Sequence, residues 1–259
     1  MTVEDINNKT PGIVLSGGGI RGMAHIGMLE VLHSYGIRPA YISGTSVGAI
    51  IGALYANGHS AEEMLDFFRK TPLFRYNFLS IKKPGFLDTE RYIEIFSTYF
   101  PTDSFDSLQY KLYVTTTNLQ RGTMEVFHEG MLIRPLLASA ALPPVFSPVE
   151  INKCLYADGG IMNNFPSEPI ADQCEFLIGS NVSVVKEVGK EAIRTSLQLA
   201  NRTTALMIYA INNKKIARCN LLFEPQELEQ IGVLDKKSLE KAYQIGYNYA
   251  SRTLEQIFR

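Results

Sequence analysis

The 259-residue sequence predicts an α/β fold, with a mostly parallel central sheet flanked by helices on both faces. Three observations carry the prediction. Short apolar runs of strand length alternate with helical stripes along the chain. The first run, residues 12–16, is continuous and apolar, as a buried strand is. No repeat, low-complexity tract or Pro/Ser-rich linker marks a boundary, so a single domain over 1–259 is expected. Its motifs lie at about 12–172, and residues 190–259 form a C-terminal helical part.

The elements follow in order. The strand at 12–16 ends in glycines. From 22 to 32, Met23, Ile26, Leu29, Val31 and Leu32 make a helical stripe, and Gly36 is its stop. Residues 41–43 form a second strand. Residues 47–57 are helical and almost wholly apolar, which suits a helix buried on most sides. Ser60-Ala-Glu-Glu63 has the form of a capping box and begins another helix. Asp88 is the expected N-cap of a helix over 88–100. Strands are expected at 110–117 and 123–127, joined across 118–122. A helix over 131–141 stops at Pro143-Pro144. Strands at 155–158 and 176–185 precede long helices at 192–216 and 236–258.

Composition narrows the function. Hydrophobic residues make up 46% and charged residues 20%, an ordinary globular balance. The net charge of −1 gives no basic face or stripe, so no nucleic-acid partner is expected. Cys154, Cys174 and Cys219 are scattered without a CxxC pair, as a reducing compartment permits. Residues 1–11 carry no apolar signal region. The longest clean apolar stretch, 47–56, is far short of the roughly 20 residues that span a bilayer. A cytoplasmic protein is the expectation, with no cofactor. No metal is expected either, since there is no H-E-x-x-H, EF-hand or clustered Cys/His set.

The chemistry concentrates in three places. Gly44-Thr-Ser-Val-Gly48 stands between a short strand and an apolar helix, the setting of a G-x-S-x-G elbow. Small residues two before and two after Ser46 let neighbouring backbone come close, and the helix N-terminus aims partial positive charge at the site. A plain N-cap serine is the competing reading of Ser46. Gly17-Gly-Gly-Ile-Arg-Gly22 follows a strand and opens a helix, so its amides are free for an anion. Read as Gly17, Gly19 and Gly22, it matches the dinucleotide fingerprint. That fingerprint wants an acid about 20 residues on, and residues 38–44 carry none. An oxyanion hole in this loop of Gly17, Gly18, Gly19, Ile20, Arg21 and Gly22, with the glycines at 17 to 19 best suited to it, is the stronger reading. Arg21 either holds the loop or meets an anionic head group, and a solvated arginine is as good an account.

A serine nucleophile needs a base. His25, His33, His59 and His128 all fall in the first half of the chain, none in a recognisable catalytic setting. Asp158, at a strand end in Tyr156-Ala-Asp-Gly-Gly160, is the better candidate. Gly159 and Gly160 let the chain turn away and leave the carboxylate facing a cleft, although Asp-Gly is also an ordinary turn pair.

Together, the glycine loop with its internal arginine, the elbow and the distant D-G-G resemble the patatin-like phospholipases. Residues 138–146, Ala-Ser-Ala-Ala-Leu-Pro-Pro-Val-Phe, and Asn163-Asn-Phe-Pro166 are similar to that family as well. The resemblance runs from about 12 to 172, with weaker echoes at 219–225 and in the last helix. It implies a three-layer fold and a Ser–Asp dyad without histidine. Ser46 would attack, Asp158 would take its proton, and the 17–22 loop would hold the oxyanion, with Gly44, Gly48, Gly159 and Gly160 supporting the turns. The substrate implied is a lipid acyl ester of the phospholipase A or lysophospholipase kind. A non-lipid carboxylesterase or thioesterase on the same dyad, a nucleotide-binding protein using the glycine loop, and a catalytically silent lipid-binding or regulatory module are the alternatives.

Ten of the 27 aromatic residues, Phe67, Phe68, Phe74, Tyr76, Phe78, Phe86, Tyr92, Phe96, Tyr99 and Phe100, crowd residues 67–100. Arg69, Lys70, Arg75, Lys82 and Lys83 lie among them. Either the segment caps the elbow and rests peripherally on a membrane, or it packs the core.

Overall fold

Eight strands form one sheet in the computed structural model, which describes residues 2–72, 78–80 and 83–259. Five of them, β3 (Lys111–Asn118), β2 (Tyr41–Thr45), β1 (Pro11–Leu15), β7 (Phe176–Ser180) and β8 (Leu221–Phe223), run parallel in that spatial order. β4 (Thr123–Phe127) and β6 (Cys154–Asp158) pair antiparallel with β3, and β5 (Val149–Ile151) pairs with β6. β1 and β7 are buried along their whole length, which is why their sequences are continuously apolar rather than alternating.

The ladder around β3 places the site. β4 occupies one edge of β3 from Val114 to Asn118. On the other edge β2 pairs up to Thr45, opposite Thr115, and β6 takes over with Asp158 opposite Thr116. Two strands of opposite direction therefore abut C-terminus to C-terminus along one edge, and their last residues are brought face to face.

The helices are α1 (Val3–Asn7), α2 (Met23–Ser34), α3 (Val47–Ala56), α4 (Ala61–Lys70), α5 (Ile93–Tyr99), α6 (Ile133–Ser139), α7 (Glu168–Ala171), α8 (Ser196–Ile216) and α9 (Leu239–Ile257). All ten residues of α3 are buried, as its apolar sequence demands. α4 starts at the expected capping box, Ser60 and Glu63 each satisfying the other's backbone amide. α2 and α9 pack closely through two glycines. A methyl on Gly27 would lie 2.5 Å from the Tyr243 carbonyl oxygen, and one on Gly246 would lie 2.1 Å from the Ala24 carbonyl oxygen.

Several boundaries differ from the sequence expectation. The strand expected over 176–185 ends at Ser180, because the Val182 amide leaves the ladder to bond the Ser16 hydroxyl at 2.9 Å. The helix expected from 192 begins at Ser196, where Thr195 and Gln198 form a second capping box, and residues Lys190–Ala192 make a separate 3-10 turn. Residues 88–100 divide into a 3-10 turn, Thr89–Tyr92, and α5; Asp88 does cap, accepting the Glu90 amide at 3.2 Å.

Most of the segment's described aromatics pack the core. Phe67, Phe78, Tyr92, Phe96 and Phe100 are buried, and Phe67 meets the rings of Phe96 and Tyr99 at 5.2 and 4.9 Å. Arg69 pairs with Glu62, Asp66 and Glu240, Lys70 with Asp66, and Lys83 with Asp88 and Glu90. Phe86 alone among the segment's described aromatics is strongly exposed, at 67%. Phe74, Arg75, Tyr76 and Lys82 lie outside the described residues. No helix among the described residues is long and apolar enough to cross a membrane.

Candidate active site

Ser46 sits where β2 turns into α3, with φ 56° and ψ −128°, a left-handed conformation that a non-glycine residue rarely adopts. The turn is this sharp because backbone crowds it on both sides. A methyl on Gly44 would lie 2.7 Å from the Gly48 carbonyl, and one on Gly48 would lie 2.4 Å from the Leu15 carbonyl oxygen. The serine side chain does not cap α3. Its Oγ instead donates to Asp158 Oδ2 at 2.6 Å. That disposes of the N-cap reading.

Asp158 ends β6 at 4% exposure, while Ser46 is half-buried. Ser46 thus keeps some contact with solvent, and the carboxylate behind it is shielded. The other carboxylate oxygen, Oδ1, accepts the Gly160 amide at 2.7 Å, and the Asp158 carbonyl accepts the Thr117 hydroxyl at 2.9 Å. Gly159 lies flat on β3, since a methyl there would meet the Thr115 carbonyl oxygen at 2.3 Å. Among the described residues no positive charge pairs with the carboxylate. Burial is the largest influence and pushes its pKa up to about 6, against the opposing hydrogen bonds from Ser46 and Gly160.

The glycine loop closes the third side. A methyl on Gly17 would stand 3.3 Å from Ser46 Cβ, and one on Gly22 would meet Val47 Cγ1 at 2.5 Å, so the loop lies directly against the elbow. The Gly17 amide donates to the Asn164 carbonyl at 3.1 Å, and the Ile20 amide donates to the Val233 carbonyl at 2.8 Å. Among the described residues, the Gly18 and Gly19 amides have no acceptor. Those two N–H groups are what the loop offers to an anion.

Three side chains that sequence reasoning left without a role hold this geometry. Ser139, at the end of α6, accepts the Ser46 amide at 2.9 Å and donates to the Thr115 carbonyl at 2.7 Å. It ties the elbow to β3. Asn164 reaches the Gly17 carbonyl at 3.3 Å and Ser183 Oγ at 3.0 Å. His25 is fully buried, its Nε2 donating to the Ser16 carbonyl at 2.9 Å and its Nδ1 accepting from the Ser180 hydroxyl at 2.8 Å. Burial pushes its pKa down to about 4, so the ring is a neutral strut beneath the loop. Both Ser139 and Asn164 fall in the stretches that carry the family resemblance, the one signal that marked them.

Arg21 holds the loop. Its Nε donates to the Ile231 carbonyl at 2.6 Å and its Nη2 to the Glu229 carbonyl at 3.1 Å. A methyl on Gly19 would collide with the Val233 carbonyl oxygen at 2.2 Å. The glycine loop is thus clamped by residues 229–233, more than 200 positions further along the chain.

The profile of the patatin-like phospholipase family matches residues 13–170, more than half of the chain. The lysophospholipase NTE1 of Scheffersomyces stipitis is 24% identical over 212 residues, 78% of this chain and 13% of that protein. An uncharacterized NTE family protein of Mycobacterium bovis is 31% identical over 173 residues, 66% of this chain and 48% of that protein. The chain therefore spans less than half the length of these relatives. Among solved structures, VipD from Legionella pneumophila has a TM-score of 0.56 over 96% of this chain and 67% of that one, at 15% identity, a likeness of fold.

Proposed function

This chain belongs to the patatin-like phospholipase family, and from that premise we propose that it is a lipid acyl hydrolase of the phospholipase A or lysophospholipase kind. The reading makes Ser46 the nucleophile and Asp158 its only side-chain base. The observation that carries it is the 2.6 Å hydrogen bond from Ser46 Oγ to a carboxylate held near pKa 6 by burial.

A free aspartate is a feeble base for an alcohol, because its pKa lies far below the working pH. Raised to about 6, Asp158 is still ionised near neutrality yet accepts a proton more readily. Ser46 Oγ attacks the ester carbonyl carbon as its proton passes to Oδ2. The carbonyl oxygen becomes an oxyanion facing the Gly18 and Gly19 amides and the N-terminus of α3, which compensate its charge in place of water. Collapse breaks the ester C–O bond, the alcohol leaves with the proton from Asp158, and Ser46 is left acylated. A water, deprotonated by Asp158, adds to the acyl carbon. The second tetrahedral species then expels Ser46 Oγ, which recovers its proton from Asp158, and the fatty acid departs.

The surroundings favour an apolar acyl group. Ile161 and Met162, in the turn that follows Asp158, and Val233, against Gly19, are exposed large hydrophobic residues at the edge of the site. A fluorophosphonate probe should label the wild type and leave Ser46→Ala unlabelled. Asp158→Asn should slow ester turnover about 10²- to 10⁴-fold, the range for loss of a general base. Undiminished turnover by Asp158→Asn would remove the aspartate from the chemistry.

A further inference from the structure

The rest of the fold uses little of the sequence of α8. Of its described side chains only Asn212 and Ile216 are buried. Leu199, Leu206, Met207 and Ile211 are exposed, Leu199 at 52% and Met207 at 67%. Their spacing of seven, eight and twelve residues from Leu199 puts them on one side of the helix, with Lys214 at the end of the same stripe. A stable helix with its apolar stripe turned to solvent has a partner outside the chain.

Charge says which kind. α8 contains no acidic residue. Residues 186–218 carry seven basic side chains against two acidic ones, in a chain whose net charge is −1. Lys190, Arg194, Lys214 and Arg218 are exposed and form no ion pair among the described residues. An apolar stripe with an unpaired cation on it and others just before and after the helix in the chain fits the headgroup region of an anionic bilayer, where the apolar side chains enter the acyl boundary and the cations meet lipid phosphates. The helix also reaches the candidate site. Lys215, in its last turn, donates to Asn163 Oδ1 at 2.8 Å and pairs with Glu168 at 2.6 Å. Asn163 in turn accepts the Thr45 hydroxyl on its carbonyl, one residue before Ser46.

We propose that α8 is the surface by which this protein docks on an anionic membrane, lying in the interface and bringing the Ser46 site to its lipid. The inference rests on the lipid hydrolase reading for its purpose, though not for its physics. The chain has no tryptophan, so Met207→Trp gives a fluorescence signal without background. Its emission should shift to the blue on adding phosphatidylglycerol-containing vesicles, and less with pure phosphatidylcholine. The double variant Leu206→Asp, Met207→Asp should lose at least tenfold in vesicle sedimentation while hydrolysing a soluble p-nitrophenyl ester at the wild-type rate. An unshifted Met207→Trp emission, or equal vesicle binding by the double variant, overturns the proposal. So does a wild-type dimer that the double variant makes monomeric, since the stripe would then belong to a second copy. Vesicle binding without any ester hydrolysis upholds the docking and removes the hydrolase reading; ester hydrolysis without vesicle binding does the reverse.

Discussion

Asp158 must be a carboxylate to act as a base, and the fold makes that form costly. Its pKa moves from 3.8 to about 6 because water is excluded from it. That shift corresponds to about 3 kcal/mol between the two protonation states. The folded-state value is the raised one. The stability linked to this group is therefore fully present below pH 3.8 and is lost as pH rises through about 6. In urea unfolding, Asp158→Asn should come close to the wild type in unfolding free energy at pH 4 and exceed it at pH 8 by up to about 3 kcal/mol. In the wild type, kcat/KM should climb with pH through about 6 and then level, since His25 stays neutral across that range. Ser46, Asp158 and their glycines were legible in the sequence, because a strained turn and a backbone collision admit few residue types. Ser139 and Asn164 were not: a serine or an asparagine bonded to backbone leaves no spacing rule behind.

At the scale of elements, length and burial decided what could be read. α3 and β1 are buried on nearly all sides, so their composition announced them. β5, β8 and α7 have three or four residues each, too few to show a period, and exist because a neighbour completes them. The α2–α9 contact hides in the same way, in two glycines that look like weak helix positions. Alanine favours a helix interior over glycine by about 1 kcal/mol. At Gly246 the added methyl meets the Ala24 carbonyl oxygen at 2.1 Å, and backbone on backbone cannot rearrange locally. The clash outweighs the propensity. Gly246→Ala should lower stability by about 2–3 kcal/mol net, seen as a drop in Tm of roughly 4–12 °C in thermal unfolding.

For the molecule as a whole, the site is assembled from distant parts of the chain. The glycine loop comes from near the start, the elbow follows it, the carboxylate arrives with an antiparallel strand, and the clamp on Arg21 comes from residues 229–233. The clamp lies beyond the stretch that matches the family, so the pattern that identifies the chain is smaller than the structure that shapes its site. On the proposed oxyanion role of the loop amides, replacing Arg21 with alanine should reduce kcat more than it raises KM, because such amides meet an oxyanion more strongly than a ground-state ester. Such a split would be read from initial rates on a soluble ester. The meeting of β2 and β6 on one edge of β3 has a last consequence. Neither strand touches the other by ladder hydrogen bonds, so β3 is the common ruler against which both ends are placed. A slip by a single residue along that ruler would swing Asp158 to the opposite face. On the proposed reading, chemical reactivity at Ser46 would report whether the sheet has aligned, and would be silent in any compact but misregistered form of the chain.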